Sequence, residues 1–357
     1  MTAFPSRNKV YLILAATLGL GWSLTKEFPQ PKMRFFPAIP AKHDRRITLE
    51  GIELGRRLFY DPVLSADSSM SCGSCHQQQY AFGSPNPSDT GISGIRQPRN
   101  TLPLFNLVWY DSFFWDGKTD VLEHSPLFAV SNPNELNLPW IEAARRISSH
   151  SLYPPLFRRV YGNRPIDSLL IADAIGQFMR SLLSNQSKYD RVIAGKEIFN
   201  EEEKMGFVLV NDMTKGACLH CHPTDSDARG SIGTFANNGL DDYRSLANAD
   251  IGKAALSGKS LDTGRFKIPS LRNLLFTAPY MHDGRFATLE EVMHFYNQGV
   301  VDGPHTDPRM TFSHRGGSAL NPSETRAVIA FLKTLSDSSF VQDARFSNPW
   351  TTPAAKQ

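Results

Sequence analysis

The chain has 357 residues, 41% of them apolar and 20% charged; at one domain per roughly 150 residues this suggests two domains that bury their cores without disulfide staples. Its 38 basic and 35 acidic residues leave +3 with no run of five like charges, so the polyanion footprint of a nucleic-acid binder is missing. The 24 prolines and 25 glycines imply many fixed loops between short elements, and disorder and coiled coil are excluded.

In chain order, Arg7 and Lys9 precede an uncharged apolar run, residues 10–24, which has the layout of an export signal. The run is shorter than the roughly 20 residues that span a bilayer. No A-x-A cleavage site follows, so an uncleaved N-terminal anchor is the second reading of residues 1–24. Export to the periplasm is expected either way. No later stretch approaches spanning length.

The four cysteines come as Cys72-Gly-Ser-Cys75-His76 and Cys218-Leu-His-Cys221-His222, two copies of C-x-x-C-H. That pattern marks c-type haem attachment, with two thiols for the porphyrin vinyl groups and a histidine for the iron, so two covalent haems are expected. A zinc ribbon needs the pairs far closer in sequence. A thioredoxin-like pair needs a single motif near a βαβ pattern, and plain disulfides would leave His76 and His222 without a purpose.

A second repeat accompanies the first. Asn106, Trp115, Asp116, Gly117, Leu122 and Glu123 recur 167 residues later as Asn273, His282, Asp283, Gly284, Leu289 and Glu290. Each C-x-x-C-H is thus followed by an aromatic-rich D-G-[KR] turn and a helix start. The division drawn from this is a first haem domain over 45–195 and a second over 196–340. Helical spacing of apolar residues predicts helices over 166–183 and 323–335, and strand-like alternation is scarce. Thr288 and Glu291 form a capping box for a helix running to about Asn297. Residues 83–100 and 225–262 carry no periodic pattern and read as long loops.

The strings GRRLFYDPVLSADSSMSCGSCH, RNTLPLFNLVWYDSFFWDGKTDVLE, NPNEL, CLHCH and FKIPSLRNLLFTAPYMHDGRFATLEEV cover most of residues 51–297. In this order they resemble the bacterial dihaem cytochrome c peroxidases and their MauG branch. The resemblance implies a mainly α fold of two cytochrome c-like domains with long irregular loops and a calcium ion between them. It makes the first haem the peroxide site and the second an electron store. It matches Glu135 to a distal acid-base glutamate and Trp115 to a tryptophan between the haems. Opposite His222 it puts Tyr296, where MauG has tyrosine and the peroxidases methionine, with Met281, Met293 and His294 as rivals. The Asn100 side-chain oxygen and the carbonyls of Thr277 and Pro279 match its calcium ligands; lacking a carboxylate, that site should be weak.

The chain also departs from the family. No histidine lies between His76 and His124, and the position of the family's closing histidine falls near Ile92, so the first haem is expected to be open at rest. His124 is expected on the exposed face of a helix beginning near Val121. Ser125 stands where the family commonly has glutamine, and residues 213–217 lack MauG's surface tryptophan. Peroxide reduction fed by a small c-type cytochrome or cupredoxin is the first functional reading, with a homodimer compatible with it. A MauG-like oxidation of partner side chains is the second, favoured by Ile92 and Tyr296. A dihaem electron carrier without catalysis is the third; Glu135 beside an open haem argues against it.

Overall fold

The computed structural model describes residues 26–28, 36–40, 42, 44–223, 233–244, 249–318 and 320–351. The export signal or anchor expected over 1–24 lies outside the described residues. Among them, no helix is long and apolar enough to cross a membrane.

The described chain is mostly helical. Its helices are α1 (Leu49–Tyr60), α2 (Cys72–Cys75), α3 (His124–Ser131), α4 (Trp140–Ser149), α5 (Tyr153–Tyr161), α6 (Ser168–Ser181), α7 (Lys188–Ile193), α8 (Glu201–Asn211), α9 (Ala254–Ser257), α10 (Leu289–Gln298), α11 (Pro322–Thr334) and α12 (Ser338–Gln342). One antiparallel pair joins β1 (Phe235–Ala236) to β2 (Phe266–Lys267), with Phe235 opposite Lys267. The predicted helices over 166–183 and 323–335 appear as α6 and α11. Both arms of the Thr288–Glu291 capping box are present at α10. The helix expected from Val121 begins three residues later, the residues between forming tight turns in which His124 N–H donates to Val121 O and Ser125 N–H to Leu122 O; His124 is exposed, as expected. The stretch 225–262 holds β1 and α9, whose few residues are too short to show periodicity.

Two helix crossings organise the apolar residues. α1 packs on α6, and α8 on α11. Both crossings depend on a glycine: a Cβ at Gly55 would lie 1.9 Å from Ala174 O, and one at Gly206 1.9 Å from Ala327 O. Each glycine also faces a phenylalanine on the partner helix, Phe178 and Phe331 respectively. One buried cluster then forms around Leu58, Phe59, Phe82 and Phe178, the other around Tyr189, Val210, Val328 and Phe331. The chain beyond α11 returns to the first cluster. Phe340 and Phe346 are buried there, the Tyr60 hydroxyl donates to Phe346 O, and Arg56 donates to Ser347 O.

The 167-residue repeat is also a repeat of backbone conformation. Asn106 and Asn273 are left-handed (φ 54° and 61°), as are Phe114 and Met281 (67° and 74°) and Gly117 and Gly284 (81° and 68°). Isolated bridges close both turns, Phe113 with Thr119 and Tyr280 with Phe286. Asparagine tolerates this region when its side chain bonds locally or is otherwise satisfied. Here both amides are fully buried, Asn106 accepting from Ser184 N and Asn273 from Asp337 N, each at 2.9 Å.

Candidate functional site

Two open cavities lie one beside each C-x-x-C-H motif, enclosing about 2460 Å³ at the first and 1790 Å³ at the second, mouths included. In the first, Ser71 and Ser74 cap the single turn of α2 reciprocally, and the Tyr60 ring packs so tightly on Gly73 that a Cβ there would approach it to 2.5 Å. This presents Cys72, Cys75 and His76 on the cavity wall. Burial pushes both thiols up to about 12, so they remain neutral thiols. Burial also lowers the basicity of His76, keeping its imidazole uncharged. Its Nδ1 lies 2.8 Å from Phe82 O, a carbonyl aimed by the left-handed pair Ala81 and Phe82. With Nδ1–H donating, Nε2 is left as the lone-pair nitrogen.

Facing the same cavity are Ser125, Asn132 and Glu135. Asn132 Nδ2 donates to Glu135 Oε1 at 2.7 Å. Burial raises the affinity of Glu135 for its proton, and the Asn132 bond and the Lys118 charge oppose that rise. Lys118 Nζ sits 4.3 Å over the Phe128 ring, which meets Phe114 edge-on. Ile92 touches this loop through its backbone, its N–H donating to Glu135 O; Gly91 and Gln97, not Ile92, line the cavity. Among the described residues His76 is the one histidine on this wall.

The second motif forms a 3-10 turn, Cys218–His220, after left-handed Ala217. Burial raises the Cys218 thiol to about 11, and His222 Nδ1 lies 2.9 Å from Pro269 O, the arrangement of His76 again. Tyr296, Met281 and Met293 all line this cavity. The Tyr296 hydroxyl, raised to about 12 by burial, accepts from Asn238 Nδ2, which also lies 3.8 Å from Met281 Sδ. His294 is exposed, bonded to Gln298, and off the cavity wall.

Trp115 and Asn100 line both cavities. The buried indole donates to Asn100 O at 2.8 Å, and Asn100 N–H donates to His282 O at 2.7 Å. The backbone of one residue, Asn100, therefore links the two repeat-equivalent residues, its C=O to Trp115 and its N–H to His282. His282 stacks on Phe266, centroids 3.7 Å apart. Asn100 Nδ2 donates to the carbonyls of Asn86 and Pro87, so a calcium role for this side chain would fall to Oδ1. Thr277 and Pro279 line the second cavity; no group of three or more His, Cys, Asp or Glu suited to a metal occurs among the described residues.

Three neighbours escaped the sequence reading. Lys267, buried between the cavities, holds Nζ 4.3 Å over the Tyr110 ring and donates to Ser112 O. Arg99 joins Asp116, next to Trp115, to Asp250. Asn132 holds Glu135. Arg99 and Lys267 carry no spacing signal, since their partners are distant in sequence, whereas Asn132 lies three residues before Glu135 within NPNEL.

Neutral, half-buried thiol pairs beside an imidazole with fixed Nδ1–H, each on a cavity wall, fit covalent c-type haem twice over. This defines a dihaem cytochrome c-type protein. The model of the di-haem cytochrome c peroxidase family matches residues 49–198. The methylamine utilization protein MauG of Methylorubrum extorquens is 32% identical over 84% of this chain and 81% of its own. The cytochrome c551 peroxidase of Nitrosomonas europaea is 30% identical over 79% of each. A crystal structure of a MauG-like protein associated with microbial copper homeostasis superposes with a TM-score of 0.79 at 31% identity, covering 90% of this chain and 99% of that one. The chain belongs to the dihaem cytochrome c peroxidase and MauG family, an enzyme of its haem-peroxidase class of oxidoreductases.

Proposed function

We propose that this chain reduces hydrogen peroxide to water at the first site, with electrons passed through the second from a small periplasmic c-type cytochrome or cupredoxin. The observation that carries this reading is Glu135: its carboxyl shares a cavity with Cys72, Cys75 and His76, one oxygen held by Asn132. Held by those three residues, a c-type haem supplies the redox-active iron at which peroxide is reduced. Glu135 takes a proton from one peroxide oxygen and delivers it to the other, so that the O–O bond breaks with water as the leaving group. Two electrons and two further protons complete two waters. Trp115, on both cavity walls, relays charge between the sites. Residues 45–195 and 196–340 serve as the two haem domains, and Asn100 Oδ1 with the Thr277 and Pro279 carbonyls holds a calcium ion.

The test is Glu135→Gln, which keeps the shape and removes the transferable proton site. Both haems should remain while single-turnover peroxide cleavage slows by about 10²- to 10⁴-fold. A wild-type rate would leave Glu135 a loop carboxylate and remove the basis of the reading.

Tyr296 favours a second reading, oxidation of a partner protein's side chains. Its hydroxyl is at the second cavity with Cys218, Cys221 and His222, where tyrosine in place of methionine would bias the site towards ferric iron.

A further inference from the structure

We infer that Asn238 is a positioning residue of the second site: its side-chain amide holds Tyr296 as the group facing His222 and keeps Met281 from taking that place. The inference rests on the reading of Tyr296 as the residue opposite His222. One nitrogen reaches two side chains that can bind iron. Asn238 Nδ2 donates to the Tyr296 hydroxyl at 3.2 Å and lies 3.8 Å from Met281 Sδ, and its two hydrogens can serve both. All three residues line the cavity with His222. The two partners come from different elements, Tyr296 from α10 and Met281 from the left-handed position of the second D-G turn. Met293, also on this wall, is packed into the second apolar cluster, whereas Met281 is half-buried and already at the amide.

The amide is placed by the backbone on either side of it. Just after β1, Asn237 O accepts from Asp307 N–H at 2.8 Å and Gly239 O from Val301 N–H at 2.9 Å. The Asn237 side chain donates to Thr263 O and accepts from Gly239 N–H. Gly239 is left-handed (φ 72°), and a Cβ there would lie 2.6 Å from Val301 O. Asn238 is thus held between two pinned neighbours with its side chain on the cavity wall. An amide N–H bonds an oxygen more strongly than a thioether, which is a weak acceptor. That bond strengthens when the oxygen carries charge, the form in which tyrosine binds iron. The contact with sulfur meanwhile occupies a lone pair that thioether ligation needs. Both effects favour the harder oxygen over the softer sulfur, and so the ferric state of the site.

The test is the optical spectrum of the ferric holoprotein at fixed pH, together with the reduction potential of its second haem. Asn238→Leu removes the amide and should shift the ratio of Tyr296-bound to Met281-bound protein roughly tenfold towards sulfur, the effect of losing one hydrogen bond to a charged oxygen. The tyrosinate-to-iron band then weakens, a sulfur-to-iron band appears and the potential rises. Asn238→Gln, which keeps an amide, should return the wild-type spectrum, and Asn238→Leu combined with Met281→Leu should lack the sulfur band. An Asn238→Leu spectrum like that of the wild type would overturn the inference alone. So would a sulfur band equally strong in Asn238→Gln, which means a reshaped strand end, or one that survives in the double variant. Loss of the tyrosinate band with no sulfur band also overturns it, since Met281 is then not the competitor. A wild type without a tyrosinate band removes the Tyr296 reading and the inference with it.

Discussion

Replacing Asn132 tests how Glu135 is set for proton transfer. Asn132 Nδ2 donates to Glu135 Oε1 at 2.7 Å, a bond to the charged carboxylate of a kind that contributes about 1.5–3 kcal/mol. Burial favours the protonated acid; the bond and the Lys118 charge favour the carboxylate. The thiols of Cys72 and Cys75 and the Asp89 carboxyl share the cavity and bring no compensating positive charge. Glu135 must be charged to accept the peroxide proton. Asn132→Ala therefore shifts the balance to the inactive acid, and since Glu135 is only partly buried, water restores some of the loss. On the acid side of the pH profile, peroxide cleavage should fall about tenfold, the lower end of the bond's range, while the alkaline plateau changes little. Asn132→Asp, which keeps an acceptor for Asn134 N–H but repels Glu135, should fall further. Stopped-flow cleavage across pH measures both. Profiles superimposable on the wild type, or a loss equal at every pH, would refute the electrostatic role.

Three other outcomes are expected. Cys75→Ala and Cys221→Ala should each weaken covalent attachment of one haem, and mass spectrometry of the wild type should show two additions; fewer would end the dihaem assignment. If Tyr296 ligates opposite His222, Tyr296→Met should raise that haem's potential and bring in a sulfur-to-iron band, whereas Met281→Leu and Met293→Leu should leave the spectrum alone; a band already present in the wild type and lost in either leucine variant would make Tyr296 packing. Gly206→Ala places a Cβ 1.9 Å from Ala327 O, so α8 and α11 must part or distort at about 1–3 kcal/mol, and an unchanged denaturation midpoint would contradict the crossing.

The parts that could be read from the sequence are those written locally or written twice. The C-x-x-C-H pairs announce their chemistry within five residues, and the family resemblance they support is borne out by the relatives. The 167-residue repeat located turns whose left-handed positions recur in step. Periodicity found α6 and α11, where the buried stripe is long, and the capping box found α10. Periodicity missed α2 and α9, a single turn each, and the start of α3 was placed three residues early, where tight turns precede the helix. Arg99, Lys267 and Asn238 depend on which distant segments meet, and no local spacing encodes that. Roles for Glu135, Trp115 and Tyr296 rest on the resemblance together with the cavity walls on which they lie.

The return of the chain after α11 has a consequence for biogenesis. Phe340 and Phe346 complete the apolar group beneath the first C-x-x-C-H, with Phe340 against Phe82 and Tyr60 bonded to Phe346 O. A nascent chain whose last segment is still in the ribosome thus has an N-terminal half that lacks part of its own core. Cofactor attachment at Cys72 and Cys75 can meet a loosely packed, accessible segment, and the half closes once the C-terminus arrives. A truncation before Phe340 should therefore injure the site farthest from it in sequence, leaving the nearer one comparatively sound.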